Sequence, residues 1–399
     1  MRQYYVRNIN PDLAKAIQPQ KEKQSETKQK RDEVNKQIPS TLVMEDRKEK
    51  RQAHVLERGE YTKPGEKVFS RIPEWISPPM DDMDENRLGL AKWLVKEDHP
   101  LTARVTVNRI WQHFFGIGLV RTAEDFGVQG ERPSHPELLD WLAVDFVESG
   151  WNVKRLQKMI MMSSTYQQSS MVSREKYALD PENRLLARGP RFRLDAEVIR
   201  DQALAVSGLL VPKIGGASVK PYQPAGLWKP VGFGGSNTSE FKQDHGDKLY
   251  RRSMYTFWKR TSPPPSMSMF DAPDRETCRV RRSRTNTPLQ ALVLMNDVQF
   301  VESARKLAER ILVEGGDDVG AKIRFAFRSV VTRQPSESEL VSLKKVYQES
   351  LQTFDEESAE AFLKAGESPR NEELEVKEVA AWTMVSHLIL NLSEAVTRG

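Results

Sequence analysis

Apolar residues recur with helical spacing along most of the chain. In residues 101–115 four large apolar side chains follow the i, i+3, i+4, i+7 spacing of an amphipathic helix: Val107, Ile110, Trp111 and Phe114. Gly116 comes next and suits a helix C-terminal cap. Similar patterns predict further helices, with Asn86 and Ser134 as N-caps of two of them. These helices cover residues 87–97, 134–149, 153–163, 195–210, 298–313, 318–330, 336–353 and 371–395, and another begins at Thr287 and Pro288.

The first eighty residues depart from this pattern. Residues 1–39 form a charged extension rich in Lys, Gln and Glu, which predicts an exposed helix or a disordered lead. Residues 40–80 are predicted to be an extended linker with short strands at 41–46 and 53–59. The helical domain is therefore expected to occupy residues 81–399.

One internal stretch, at about 211–265, also lacks helical periodicity. It is rich in Gly, Pro and aromatic residues, and its segment RRSMYTFWKR (251–260) predicts a strand. The predicted fold class is mainly α: a multi-helix domain with a small strand- and loop-rich insertion.

Composition narrows the classes of protein only slightly. The 61 Lys and Arg residues exceed the 56 Asp and Glu residues by 5, a surplus that permits an anionic partner without requiring one. The single cysteine, Cys278, excludes an intramolecular disulfide and a thiolate metal cage. No C-x-x-C-H haem attachment motif occurs, so no cofactor is evident.

The sequence also shows neither a membrane-spanning segment nor an export signal. No apolar run reaches the length of about 18 residues that a membrane-spanning helix needs, so we expect a soluble protein. The first residues, MRQYYVRNINPDLAKAIQ, lack the apolar core of a signal peptide, and we expect that this chain is not exported by itself.

The 101–115 helix carries a polar stripe opposite its apolar face. Asn108 and Gln112 are four residues apart, as are Arg109 and His113, so each pair shares a face. A neutral histidine beside an arginine is suited to binding an anion or relaying a proton. The alternative is a helix whose polar side pairs with neighbouring loops.

Two carboxylates occur one turn apart on the 195–210 helix. Glu197 and Asp201 have the spacing of a divalent-cation pair or an acid/base pair, with Arg200 on a nearby face. The alternative is an ordinary ion pair with Arg200 or with a neighbouring element, which occurs freely without function.

The densest charged segment lies between residues 271 and 286. Its arginines present planar forks that match carboxylate, sulfate or phosphate, and a helix start follows directly. The alternative is a loop clamped by its own acids that locks two helical blocks together. The candidate anion-binding residues here are Arg275, Arg281, Arg282, Arg284 and Asn286, and the acids are Asp271 and Asp274.

Aromatic residues interleave with basic ones in residues 222–258. Trp228, Tyr255 and Trp258 are candidates for a platform on which sugars or bases stack. The alternative is that these rings form the core of a small insertion, because aromatic residues dominate cores.

Five long segments resemble one family closely, in order along the chain: NRLGLAKWLV (86–95), PLTARVTVNRIWQHFFGIGLV (100–120), EDFGVQGERPSHPELLDWLAVDFVESGW (124–151), DPENRLLARGPRFRLDAEVIRDQAL (180–204) and FDAPDRETCRVRRSRTNTPLQALVLMND (270–297). They are similar to the planctomycete-type family of uncharacterised proteins known as domain of unknown function 1553, over roughly residues 40–396. RGEYTKPGEKV (58–68) resembles the segment that leads into that domain.

The resemblance implies a mostly helical domain with no assigned activity. Relatives often lie downstream of another uncharacterised domain and a cytochrome c-like module in exported proteins, which implies an extracytoplasmic location and such a partner. This sequence lacks the haem motif, the upstream domain and a signal peptide, so we expect a piece of a multidomain system.

Three functions are compatible with these patterns, in order of preference. The first is an accessory or binding domain that recognises an anionic polymer, an acidic or sulfated glycan. The second is a hydrolase-like enzyme that uses His113 and the carboxylates of Glu197, Asp201, Asp271 and Asp274. The third is a nucleic-acid-binding protein that uses the basic, aromatic 250–284 region.

Overall fold

The computed structural model describes residues 11–38, 40–47, 49, 51–73, 75, 76, 78 and 84–399, with the side chains of 11–14 left out. Contacts divide the chain into two units, residues 1–72 and 73–399. The predictions for residues 1–10, and the predicted domain start at 81–83, lie outside the described residues.

The described part of the first unit contains one long helix and one hairpin. Helix α1, Pro11–Gln37, is largely exposed from residue 15 onward and has few large apolar residues, so of the two predicted forms the exposed helix is the one observed. Strands β1, Ala53–Leu56, and β2, Pro64–Val68, pair antiparallel with Ala53 opposite Val68. The predicted strand at 41–46 is wrong, because this exposed segment has no regular structure.

The second unit is built from helices, which confirms the mainly α prediction. Its described helices are α2 (Arg87–Leu94), α3 (Thr102–Phe115), α4 (Pro136–Glu148), α5 (Val153–Met162), α6 (Arg174–Leu179), α7 (Ala196–Val206), α8 (Pro265–Met269), α9 (Pro288–Asn296), α10 (Val298–Glu314), α11 (Val319–Val331), α12 (Glu337–Thr353), α13 (Glu356–Leu363), α14 (Val376–Leu390) and α15 (Ser393–Val396).

Cap chemistry explains most of the helix ends. Asn86 accepts a hydrogen bond from the backbone N–H of Gly89 at 2.9 Å, so its predicted role as the α2 N-cap is confirmed. The predicted Ser134 cap is wrong. Helix α4 begins after His135 without a side-chain cap, since the hydroxyl and the N–H of Ser134 both point at the carbonyl of Leu119.

Two hydrophobic cores organise the helices. The first joins α3, α4 and α5 through residues such as Val107, Leu139 and Leu156. The second joins α10, α11, α12 and α14, and its centre includes Phe327 and the fully buried Trp382. Truncating such a buried aromatic residue to alanine costs about 3–5 kcal/mol, so these cores fix how the helices pack.

A third, smaller core is centred on α7. Helix α7 packs its buried Ile199 and Ala203 against α8 and α9 and against Phe300 of α10. Just before α7, strand β3, Phe192–Arg193, pairs antiparallel with β4, Thr397–Arg398, and the N–H of Leu194 donates to the carbonyl of Val396. Residues 192–196 are therefore held from both sides.

The insertion at 211–265 is loop-rich but has no strand of its own. The predicted strand at 251–260 is wrong: only isolated bridges join Val211 to Arg251 and Val219 to Thr256. A 3-10 turn at Ser253–Tyr255 interrupts the segment, and the side chain of Arg251 bonds to the carbonyls of the facing loop, at 3.0 Å from Lys213 and Ala217 and 2.6 Å from Gly215. A side-chain fork replaces a backbone ladder here.

A buried charged group ties the insertion to α10. Arg305, 2% exposed, donates to Glu309 at 3.0 Å and lies 3.8 Å from the fully buried Glu302. Glu302 also accepts from the hydroxyl of Tyr250 at 2.8 Å and from the N–H of Ser368 at 2.7 Å. We call Glu302, Arg305, Lys306 and Glu309 the buried arginine cluster; Lys306 also donates to Glu309.

Candidate functional site

Three segments that are distant in the chain meet at one surface of the second unit. Helix α3, the start of α7 and the loop between α8 and α9 each contribute charged side chains to it. We call this group the arginine surface, and it consists of Arg109, His113, Asp195, Glu197, Arg275, Arg282 and Arg284.

The polar stripe of α3 divides into structural and exposed halves. Asn108 is fully buried and exchanges two hydrogen bonds with the backbone of Val120, at 2.8 and 3.0 Å. Gln112 is buried and donates to the carbonyl of Val280 at 3.3 Å, which holds the 271–286 loop against α3. The two amides therefore pair with neighbouring loops, whereas Arg109 and His113 remain exposed.

Arg282 connects the loop to the first turn of α7. Its guanidinium donates to both carboxylate oxygens of Glu197, at 2.6 and 3.1 Å, and lies 3.8 Å from Asp195. Burial acts to raise the pKa of Glu197, but the hydrogen bond and charge of Arg282 outweigh it, so the pKa of this carboxyl lies below its usual value. Glu197 is ionised and engaged, which argues against a role as a general acid.

Arg284 packs where α3 ends. It donates to the carbonyl of Gly116 at 3.1 Å, and its guanidinium carbon lies 4.3 Å from the centre of the Phe192 ring. Gly116 has φ of +83°, and a Cβ added there would lie 2.8 Å from Cδ1 of Phe192. Only glycine fits this junction, so the predicted cap residue also shapes the arginine surface.

His113 lies among groups of both charges. Partial burial lowers its pKa; Asp195 acts to raise it, and Arg282, Arg109 and Arg284 lower it further. The net shift is downward from the ordinary value of 6.5, so the imidazole is neutral at neutral pH.

The arginine surface has more positive than negative groups. Its two carboxylates, Asp195 and Glu197, both face Arg282. Among the described residues, no carboxylate oxygen lies within 4 Å of Arg109, Arg275 or Arg284. Arg275 instead stacks on Trp258 at 4.4 Å, with a φ of +66° that is unfavourable for a residue with a side chain. Asp195 and Glu197 act on Arg284 and Arg275 only at longer range, without a direct ion pair.

The other predicted acids lie in separate environments. Asp201 accepts from the N–H of Ser253 at 2.7 Å, so it does not share a ligand with Glu197. Asp271 accepts from the N–H of Thr285 at 2.7 Å and from its hydroxyl at 2.8 Å. Asp274 accepts from the N–H of Glu276 at 3.1 Å. Each of these carboxylates accepts a backbone N–H, from a distant loop for Asp201 and from within the 271–286 segment for Asp271 and Asp274.

Two predicted anion-binding residues are also engaged elsewhere. Asn286 accepts a hydrogen bond from Arg193 at 2.5 Å. Arg281 lies 3.7 Å from Glu124, and each of the two side chains is about half exposed. Such an exposed pair contributes only about 0–1 kcal/mol, so a ligand can displace it at small cost.

The three candidate platform aromatics differ in exposure. Trp228 is 2% exposed and packs against Phe241 and Phe257 at ring-centre distances of 5.2 and 5.6 Å, so it is a core residue and not an open stacking face. Tyr255 is covered by Arg251 at 3.8 Å, and its hydroxyl accepts from the N–H of Gly215. Trp258 adjoins the arginine surface through Arg275.

Sequence reasoning missed Asp195 and Phe192 as site residues. Both lie in the segment RFRLDA (191–196) just before Glu197, and Asp195 was assigned only to a helix start. Within the described part of the chain, no three His, Cys, Asp or Glu side chains group as metal ligands, and no helix is long and apolar enough to cross a membrane.

The fold and site define a mainly α protein with a surface cluster in which arginines outnumber acids. The model of the family PSD1, described as a protein of unknown function (DUF1553), matches residues 86–347, and the chain belongs to this family. The matched range contains every residue of the arginine surface. No curated protein and no solved structure matches the chain.

Proposed function

We propose that the chain is a binding module for an anionic polymer, an acidic or sulfated glycan, and that the arginine surface contacts its anionic groups. The observation that carries this proposal is the charge imbalance: Arg109, Arg275 and Arg284 have no carboxylate partner, while Arg282 holds both local acids. Guanidinium groups bind carboxylates and sulfates bidentately, and such bonds are stronger than neutral ones.

The arrangement favours binding over hydrolysis. A hydrolase of the predicted kind needs two carboxyl groups that face one space, one of them protonated. Glu197 is ionised and held by Arg282, and Asp201, Asp271 and Asp274 each accept a hydrogen bond from a backbone N–H. The exposed Arg109 and the partly buried Trp258 beside Arg275 instead support contact with an extended chain.

The partner and location follow from the family resemblance and are part of the same proposal. Relatives that lie beside a cytochrome c-like module and another uncharacterised domain support an extracytoplasmic system in which this chain supplies the polymer-binding part. Pull-down of this chain by a separately produced upstream module, at moderate salt, would test that association.

Binding to the polymer is tested with purified chain and four immobilised polymers: polygalacturonate, chondroitin sulfate, a neutral glucan and single-stranded DNA. We expect retention on the two acidic glycans, none on the neutral glucan, and elution by salt as charges are screened. Arg109→Gln should weaken retention on the acidic glycans about tenfold, the effect of one charge-assisted hydrogen bond.

The matched control is Arg104→Gln, on the same helix. Arg104 pairs with Asp140 at 2.6 Å, away from the arginine surface, and its loss removes the same charge. Equal weakening by both variants would show that retention depends on the overall charge of the protein and not on the position of Arg109. Retention on DNA alone, with a steep salt dependence, would favour the nucleic-acid function instead.

A further inference from the structure

A second basic site lies on α11, in the C-terminal core. An open groove of about 490 Å³ is lined by Arg324, Phe325, Arg328, Ser329 and Gln334. This volume falls within the range of roughly 300–1,000 Å³ that is typical of small-molecule sites. The groove shares no residue with the arginine surface.

The two arginines of this groove differ from the other arginines of the region. Residues 298–399 are all described and contain seven arginines. Four of them form hydrogen bonds to protein groups and one stacks on Tyr166 at 4.4 Å; these are Arg305, Arg310, Arg333, Arg370 and Arg398. Arg324 and Arg328 are exposed and, among the described residues, have no hydrogen bond, ion pair within 4 Å or ring contact.

The acid Asp318 forms no ion pair within 4 Å with either arginine of the groove. Asp318 interacts electrostatically with Arg324, but its carboxylate caps α11 by accepting a hydrogen bond from the N–H of Ala321 at 2.9 Å. Lys344 also acts on Asp318, so positive charge exceeds negative charge at this end of the helix. The two guanidinium groups are available to a ligand.

The spacing of the pair suits one tetrahedral oxyanion. Residues four apart on a helix lie on the same face, with Cβ atoms about 5–6 Å apart, so long side chains reach a common point. Each guanidinium fork donates two hydrogen bonds to phosphate or sulfate. Ser329 and Gln334 add a hydroxyl and an amide, and Phe325 adds an apolar wall.

We propose that this groove binds a sugar-sized ligand that carries a phosphate or sulfate ester, independently of the arginine surface. The paired arginines hold the ester group, while Ser329 and Gln334 bind hydroxyl groups of the body. The apolar and hydrogen-bonding side chains of Phe325, Ser329 and Gln334 line the groove beside the arginines, which is why the ligand is assigned a body.

Isothermal titration with three probes tests the proposal: glucose 6-phosphate, glucose 6-sulfate and glucose. We expect at least one ester to bind and glucose not to bind, and the tighter ester identifies the source of the anion. Arg324→Gln with Arg328→Gln should weaken ester binding about tenfold or more, as two charge-assisted contacts are lost. Inorganic phosphate and sulfate should bind more weakly than the corresponding ester.

The control removes two positive charges outside the groove, by Lys345→Gln with Lys364→Gln, and should leave ester binding unchanged. Arg109→Gln should also leave it unchanged, so the outcome is separate from that of the proposed function. Circular dichroism should show native helicity in every variant, because all the replaced side chains are exposed. The proposal is overturned if neither ester binds, if the lysine control weakens binding equally, or if the free ions bind as well as the esters.

Discussion

Two groups of arginines and acids in this protein differ in what surrounds them. In the buried arginine cluster, Arg305 and Lys306 face Glu302 and Glu309, so charges are equal in number and every group lies at or near full burial apart from Lys306. In the arginine surface, four arginines face two acids and several groups remain exposed. The buried group has equal numbers of positive and negative charges, whereas the solvent-exposed group has more positive charges than negative ones.

The difference separates a structural role from a binding role. A charge taken out of water is tolerated only when opposite charges and hydrogen bonds compensate it, so a buried cluster of charges is engaged within the fold and closed to a ligand. An exposed surplus is stabilised by water and salt, both of which an anionic ligand displaces. A ligand site in this protein is therefore indicated by arginines that lack acidic partners, and not by the number of arginines.

The largest effect is expected in the buried arginine cluster. Arg305→Leu leaves Glu302 and Glu309 without their main counter-charge, which should cost about 3–5 kcal/mol of unfolding free energy. Urea denaturation followed by circular dichroism measures the loss. A cost below about 1 kcal/mol would show that Lys306 and the hydrogen bonds to Glu302 suffice, and the contrast with the arginine surface would then be lost.

His387 gives the second effect, which depends on pH. This residue is buried on α14, and burial lowers its pKa to about 4, although a hydrogen bond to the carbonyl of Leu294 opposes the shift. Because the unfolded chain binds the proton and the folded one does not, stability should fall as pH falls from about 6.5 towards 4, by roughly 2–3 kcal/mol. His387→Asn should flatten this part of the stability curve; an unchanged curve would assign the acid sensitivity to carboxyl groups.

Arg282→Ala should have a smaller effect on stability. Arg282 and Glu197 are about a third and a fifth exposed, so loss of their two hydrogen bonds should cost about 1 kcal/mol. The measurement is again urea denaturation, with Arg121→Ala, which breaks an exposed pair with Glu182, as the control. If the unfolding free energy falls by about 3 kcal/mol or more, the arginine surface is a structural clamp like the buried arginine cluster and not a binding site.

The smallest effect is a shift in the titration of His113. Its pKa should lie below 6.5 in the free protein, as burial and three guanidinium groups disfavour the cation. Sulfate or galacturonate bound at the arginine surface should raise this pKa, since an anion stabilises the imidazolium, and binding should therefore tighten as pH falls. Proton NMR of the imidazole measures both values, and a pKa that ligand leaves unchanged would place the bound anion elsewhere.

The sequence predicted the helices better than it predicted the contacts. Periodic apolar residues located α3 and α10–α12 to within one or two residues, because helical packing repeats along the chain. The supposed strand at 251–260 failed since the bonds of Arg251 to the loop around Gly215 depend on residues about 36 positions away. Local propensity does not contain such partners.

The arginine surface was predictable only in part. The 271–286 segment and the Arg109 and His113 pair were identified by their composition and spacing, yet nothing local showed that they meet. Their meeting depends on Gln112 and Arg284, which bind carbonyls 168 positions away in the chain. The sequence also did not show that Asp201 and Glu197 have separate partners. Asp201 accepts a hydrogen bond from the N–H of Ser253, which lies in a loop distant in the chain.

The pairing of β3 with β4 has a consequence for how the protein is made. Residues 192–194, which precede Asp195 and Glu197, are fixed by residues 396–398. During translation, the ribosome must therefore release the whole C-terminal helical block before this segment acquires its partner. Until then Phe192 lacks its strand support beneath Arg284, so the arginine surface should be among the last parts of the protein to mature.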